Sequence, residues 1–483
     1  MSNERATKEL KIRKPERTQI EIITASIDDF IDENHLARRI WAFIEGLDTT
    51  TLFSALKTQE GKPGQRAIDR RVLLSLWLYA IISGIISGRE IERKIKSDNA
   101  FRWLAGGLNI NYHTIDDFRS QNEKSFEDIM AQLMASMVSA EILSGETIAI
   151  DGMKISAKAK GSRFHRKDKI EEHLEQAKAY LKELNNSSEK QINLKKAAAE
   201  KRAARERVAK CEKALATFEE LSDKSDKARV SITDSESRIM KGGNGAGYRP
   251  AYNVQVATDM ESFVIAGIEV TQDHNDSSGI KNILPTLEKN LPKYPKSLVT
   301  DAGYPCYKHL HLLEEKGIEY YSQQDKKKRG RKSSPISFFR ENSTFDKSTE
   351  TLVCPAGKIF QMKAYAAPDG FIDYKFTRNK KSCEECNLLE RCLAKRDLYQ
   401  TISFKIKNSK HESLIKKLAK NNESTTGIDL LKKRFSMELP HAVIKQRFRY
   451  RQVCVQTINR VKSEILLVVL AHNFLRWQSL QRS

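Results

Sequence analysis

The chain has 483 residues, with 84 Lys and Arg against 63 Asp and Glu, giving a formal charge of +21 at pH 7 and a pI near 9.5. That length allows several domains around a large core, and that charge points to a polyanionic partner, nucleic acid ahead of an acidic membrane surface. The two longest apolar runs, Val72–Ile86 and Ile465–Leu475, fall short of the roughly 20 residues a bilayer span needs, so a membrane-spanning role is excluded. The polar start MSNERATKEL carries no secretory signal, and seven cysteines without one predict a reducing cytoplasm and no disulfide framework.

Residues 1–140 read as a helical N-terminal domain. Val72, Leu73, Leu76, Trp77, Tyr79 and Ala80 form a broad apolar face, and Gly84, Gly88 and Gly106-Gly107 punctuate short helices. Thr114 is the expected N-cap of a further helix carrying Arg119, Gln121 and Asn122 as exposed candidates. This pattern suits a helix-turn-helix-like DNA reader and equally a plain helical bundle. Residues 141–324 alternate strands and helices. Thr147–Ile150 predicts a strand ended by Asp151-Gly152, with the alternation resuming at Lys154-Ile155. Residues 164–224, rich in Lys, Glu, Ala and Arg with apolar positions three and four apart, predict an inserted antiparallel helical hairpin broken near Asn185–Ser188. Tyr252–Thr258 and Phe263–Val270 predict a strand hairpin. A helix to about Leu291, a strand Ser297–Thr300, a helix and a strand Ile318–Ser322 follow. The order fits an α/β fold with a mixed sheet of the ribonuclease-H type.

Residues 325–430 break the pattern. A basic run, Lys326–Arg329 with Arg331-Lys332, suits phosphates. Cys354, Cys383, Cys386 and Cys392 could hold one structural zinc or could remain reduced, unliganded thiols. Residues 431–483 predict closing helices, with Glu438 early and Lys445, Arg447, Arg449 and Arg451 after it.

Asp151 and Asp301 each stand at a predicted strand end, the usual place for chemistry in α/β sheets. Three carboxylates brought together repel unless cations neutralise them, and hard oxygen ligands select Mg2+ or Mn2+. A pair of such ions about 4 Å apart serves phosphodiester chemistry.

At these residues the chain resembles the DDE transposases of bacterial insertion sequences, in the ribonuclease-H-like nucleotidyltransferase class, from about residue 67 to the end. TIAIDGMKISA around Asp151 is similar to the family's first-aspartate block, although Met153 stands where Thr is frequent. SRIMKGGNGAGYRPAYNVQVATD is similar to the segment entering the second strand, and SLVTDAGY with LLEEKGIEYY to the second-aspartate block. In RFSMELPHAVIK, Arg434-x3-Glu438-x6-Lys445 resembles the Tyr-x2-Arg-x3-Glu-x6-Lys signature of one branch, with Leu431 at the Tyr position.

The resemblance implies Asp151, Asp301 and Glu438 as metal-binding catalytic residues with two Mg2+ or Mn2+ ions. It places Arg434 and Lys445 on DNA phosphates, with Arg447, Arg451 and Arg119 as further DNA contacts, and Asn253 and Asp276 in supporting roles. It implies cleavage at element ends and strand transfer by the freed 3′ hydroxyls. It also implies double-stranded DNA partners (terminal inverted repeats and target), a homodimer in the synaptic complex, no membrane partner, and a location on the bacterial nucleoid in the cytoplasm. Two other readings stay open: a metal-dependent nuclease of the same fold that cuts without joining, and a non-catalytic DNA-binding protein.

Overall fold

A computed structural model describes residues 17–18, 20, 22, 24–54, 56, 66–186, 194–222, 228–242, 247–276, 278–323, 338–339, 342–346, 348–366, 371–377, 383, 386–392, 401–407 and 409–481. The basic run at 326–332 lies outside these residues.

The N-terminal region is helical, as its apolar spacing predicts. Its helices are α1 (Leu36–Glu45), α2 (Arg70–Ile82), α3 (Gly88–Ser97), α4 (Asn99–Leu104), α5 (Tyr112–Gln121) and α6 (Glu123–Ser139). Asn111, not Thr114, caps α5, its side-chain oxygen accepting from the Thr114 amide at 2.9 Å. Asn closes that bond from the preceding extended residue, the geometry an N-cap requires.

The strands are β1 (Thr147–Ser156), β2 (Arg238–Lys241), β3 (Tyr248–Asp259), β4 (Ile265–Thr271), β5 (Ser297–Thr300) and β6 (Glu319–Ser322). They form one sheet in the order β2–β3–β1–β5–β6, with β4 also pairing β3. β1 and β3 are antiparallel, as are β3 and β4; β1, β5 and β6 run parallel. Helix α9 (Gly279–Asn290) leads into β5, and α10 (Tyr307–Glu315) joins β5 to β6. This mixed α/β arrangement behind a helical region is consistent with the ribonuclease-H-like reading.

Strand β1 differs from expectation. It does not end at Asp151-Gly152 but continues to Ser156, because β3 pairs with it from Ile148 to Ser156. Its parallel neighbour β5 matches only Thr147 to Ala149. Asp151 therefore lies just beyond the point where β5 leaves β1, in a notch between the two strands.

The hairpin insertion appears as predicted, with α7 (Lys167–Asn186) and α8 (Leu194–Ser222) joined through a small core of Ile170, Ala214 and Val230. Between β6 and the closing helices are two small three-stranded sheets, 344–361 and 363–407. The closing region is more broken than predicted. α11 (Ser409–Glu423) and α12 (Thr425–Lys433) give way to a 3-10 turn at Arg434–Met437. A short α13 (Glu438–Ala442) and a π turn at Val443–Arg447 follow. Pro440, without an amide hydrogen, sits at the centre of this interrupted stretch.

Helix α14 (Ile458–Leu480) is buried almost without interruption from Ile465 to Phe474, consistent with an apolar surface all round. It packs against α2, α5, α6 and β4, so the helical region and the sheet share one continuous core. Asn473 on this helix exchanges two hydrogen bonds with the Ile265 backbone, at 2.9 and 2.8 Å. The free edge of β4 is satisfied there rather than left open. No helix of the described residues is long and apolar enough to cross a membrane.

Candidate active site

Residues 149 and 151 of β1 share a face, since side chains alternate along a strand. The parallel register Ala149↔Val299 places Asp301, which follows β5, on that same face. The 3-10 turn before Glu438 is pinned there by Met437, which is buried among Ala149 of β1, Val299 of β5 and Tyr321 of β6. Farther along, Ser156 accepts from the Val453 amide at 2.9 Å and donates to the Arg451 carbonyl at 3.2 Å. Residues 434–451 are thus fastened at both ends over the notch that exposes Asp151.

The centre of the site is a three-residue bridge. Arg434 Nη2 is 3.5 Å from Asp151 Oδ1 and 4.0 Å from Asp301 Oδ2. The two aspartates, 150 positions apart in sequence, are spanned by one guanidinium. Asp301 is fixed by the Gly303 amide, which donates to its Oδ1 at 2.8 Å, and Asp151 by the Gly152 amide at 2.9 Å. Burial pushes the Asp151 carboxyl up to about 6. Arg434 opposes that shift, while Asp301 and Asp276 add to it. Arg434 itself is loosely satisfied, since its Nε is buried without a hydrogen-bond partner.

His441 is a site residue that sequence reading missed. Its Nδ1 lies 4.0 Å from Asp151 Oδ2. Burial, with Lys445 and Arg434 nearby, holds its imidazole down at about 4, so it faces Asp151 uncharged at neutral pH. The signal was available: Arg434, Glu438, His441 and Lys445 are spaced four, three and four apart, one face of a helix. Lys445 is also drawn in. Burial and Arg249 lower its pKa, and Asp151 acts in the opposite direction.

Glu438 begins α13 within this stretch, its amide donating to the Phe435 carbonyl, yet it is exposed, and no hydrogen bond or ion pair ties its carboxylate to another described residue. Arg447 and Arg451 are exposed on the same segment, Arg451 donating to the Lys445 carbonyl at 3.1 Å. Arg119 corrects an expectation. Instead of facing solvent it is 5% exposed, bonded to the Ile86 carbonyl at 2.9 Å and to Asp116 at 2.8 Å. Asn122 is buried too, whereas Gln121 is exposed. The reason is packing: α5 lies between α2 and α14, and Arg119 sits over the Trp77 ring at 4.7 Å, 3.6 Å from the buried Glu464.

Among the described residues no group of three His, Cys, Asp or Glu side chains is arranged to hold a metal by itself, and this applies to the thiols and the carboxylates alike. Cys354 and Cys392 instead pack against a small apolar cluster of Phe339, Leu352 and Met362.

The second support of the site lies on the opposite face of β1. Asn253 and Gln255 of β3 both donate to Asp276 Oδ1, at 2.8 and 2.9 Å. Gln255 in turn accepts from Tyr304 at 2.6 Å. This packing explains the glycine after Asp151. A Cβ at Gly152 would overlap Asp276 Oδ1 and come within 3.2 Å of Asn253 Oδ1. Gly152→Ala is expected to cost about 1–3 kcal/mol of stability by overpacking and to displace the neighbouring aspartate. Thermal melting together with a DNA cleavage assay checks this, and a silent substitution would contradict the packing.

Comparison with known families agrees with this geometry. A profile described as "Transposase DDE domain" matches residues 224–474, more than half of the chain, and one described as "Transposase domain (DUF772)" matches residues 25–121. The chain belongs to the DDE transposase family. Asp301 and Glu438 fall inside the longer match and Asp151 between the two. No curated protein and no solved structure matches the chain.

Proposed function

We propose that this protein is an insertion-sequence transposase that cuts DNA at the ends of its element and joins the freed 3′ ends to target DNA. The observation that carries the reading is the pair Asp151 and Asp301, on one face of adjacent parallel strands with a single guanidinium between them. Two carboxylates so placed fit a hard divalent cation, Mg2+ or Mn2+, and the partly unsatisfied Arg434 is the cation that stands between them here. When bound, two such ions would favour attack of an oxygen on phosphorus and departure of the 3′ oxygen.

The chain's own residues would do the rest. Asp151 and Asp301 hold the cation, and Glu438, on the segment clamped over the notch, completes the set. Arg434, once displaced from the aspartates, reaches a phosphate beside the scissile bond, and Lys445 does the same. Arg447 and Arg451 bind the DNA backbone as phosphate contacts, which position rather than read sequence. In the first step water attacks and a 3′ hydroxyl leaves. In the second that hydroxyl attacks a target phosphodiester, whose own 3′ oxygen leaves. One bond forms as one breaks, and no covalent protein intermediate is needed. Two ends must be handled together, so the working unit is a dimer.

The test is a gel assay of labelled element-end DNA with Mg2+ or Mn2+, wild type against Asp301→Ala. Cleaved and joined products from the wild type alone support the reading. Cleavage without joining would make the protein a nuclease of this fold. Tight end binding with neither product would make it a DNA-binding protein without chemistry.

A further inference from the structure

Resting on that reading of the site, we infer that Asp276, together with the side-chain oxygen of Asn253, belongs to the cation-holding set, approaching Asp151 from the β3 side while Asp301 approaches from the β5 side.

Strands β3 and β5 flank β1 on opposite sides. Beyond Ala149 no residue of β5 pairs with β1, so on that side Asp151 is not covered by a neighbouring strand. On the β3 side, Asn253 is fully buried. Its amide nitrogen is committed to Asp276 Oδ1 at 2.8 Å, with the Asp273 carbonyl at 3.2 Å. That commitment turns Asn253 Oδ1 the other way, toward the space over Gly152, where it is buried with no hydrogen-bond partner. An orphaned buried acceptor is costly, so its retention calls for a donor or a cation.

Asp276 shares that space. Its Oδ1 accepts two amides, while its Oδ2 has no hydrogen-bond partner among the described residues. A purely packing role accounts for Asp276 Oδ1 but not for the orphaned Asn253 Oδ1. The Asp276 charge is also felt at Asp151, where it adds to the larger effects of burial and Asp301. The niche that a side chain at 152 would fill is therefore walled by oxygen atoms and borders the first aspartate. It matches a hard cation in charge and ligand type.

The experiment titrates the full-length protein with Mn2+ in the absence of DNA, reading free Mn2+ by electron paramagnetic resonance. Wild type is compared with Asp276→Asn, Asp276→Glu and Asp301→Asn, with apo melting temperatures alongside. Asp276→Asn keeps an oxygen for the two amides and removes the charge. It is expected to weaken Mn2+ binding by about 10-fold or more with apo melting unchanged, and Asp276→Glu, which keeps the charge, to recover part of the affinity. Mn2+ affinity of Asp276→Asn within twofold of wild type, with Asp301→Asn impaired, would overturn this inference and leave the transposase reading standing. A wild type that binds no Mn2+ at millimolar concentration would overturn both.

Discussion

Asp151→Asn is expected to abolish DNA cleavage and joining while raising the stability of the metal-free protein. Its side chain is one-quarter exposed, and burial holds its carboxyl at about 6 against an ordinary 3.8, even with Arg434 beside it. The native state thus binds a proton more tightly than the unfolded chain between those values. Apo stability should fall as pH rises from about 4 to about 6, and the penalty persists at pH 7. Asn carries no charge to desolvate and keeps an oxygen for the Gly152 amide. The gain at pH 7 should be about 1–2 kcal/mol, read as a melting rise of the order of 2 °C and a flattened pH dependence. Activity should fall by at least about 10³-fold, because the proposed reading makes Asp151 a ligand of the catalytic cation. A variant both inactive and less stable at pH 7 would show that Asp151 is held in place for structure.

Glu464→Ala is expected to be among the most destabilising single substitutions in the chain. Glu464 is 2% exposed, and both its oxygens accept from the Cys454 amide at 3.1 Å. Burial raises its pKa, with Arg119 working against that. Burial alone would lower Arg119, but Glu464 together with Cys454, Asp116 and Tyr450 outweighs it, and the guanidinium ends above its ordinary value. The pair links α5 of the helical region to α14 of the closing region, and Ser463 adds a bond to the Arg119 carbonyl at 2.7 Å. Removing the carboxylate leaves Arg119 to the partly exposed Asp116 and the Ile86 carbonyl, and takes the acceptor from the Cys454 amide, a loss of about 3–5 kcal/mol. Glu464→Gln should cost less, since its amide oxygen can still accept from the Cys454 amide. Thermal melting of the three proteins decides it. Equal stability of wild type and Glu464→Ala would mean the pair is not closed in solution. The same placement predicts that Arg119→Ala lowers stability first, and DNA affinity through that loss.

Much of this arrangement was legible in the sequence, because the strands around Asp151 and Asp301 are short, apolar and bounded by turn residues. The hairpin insertion was equally clear from composition. What escaped reading was set by neighbours distant in sequence. Strand β1 runs past Asp151 because β3 supports it, and nothing local in Asp151-Gly152 announces that. Arg119 looks like a DNA contact by residue type, and only the packing of α5 against Trp77 and Glu464 turns it inward. His441 is marked in the sequence only by its spacing from Arg434, Glu438 and Lys445, since an uncharged imidazole among cations carries no local sign of a role. The cooperation of Asn253, Gln255, Tyr304 and Asp276 depends on the β1–β3 register and has no sequence pattern of its own.

The central claim is that Asp151 and Asp301 hold the catalytic cation in the place Arg434 now spans. Its most direct measurement is anomalous diffraction from crystals of the protein with element-end DNA, soaked in Mn2+. The account predicts an anomalous peak at coordination distance from carboxylate oxygens of both aspartates, with Arg434 moved onto a phosphate. Arg434 still bridging the two aspartates, with manganese bound elsewhere or not at all, would contradict it.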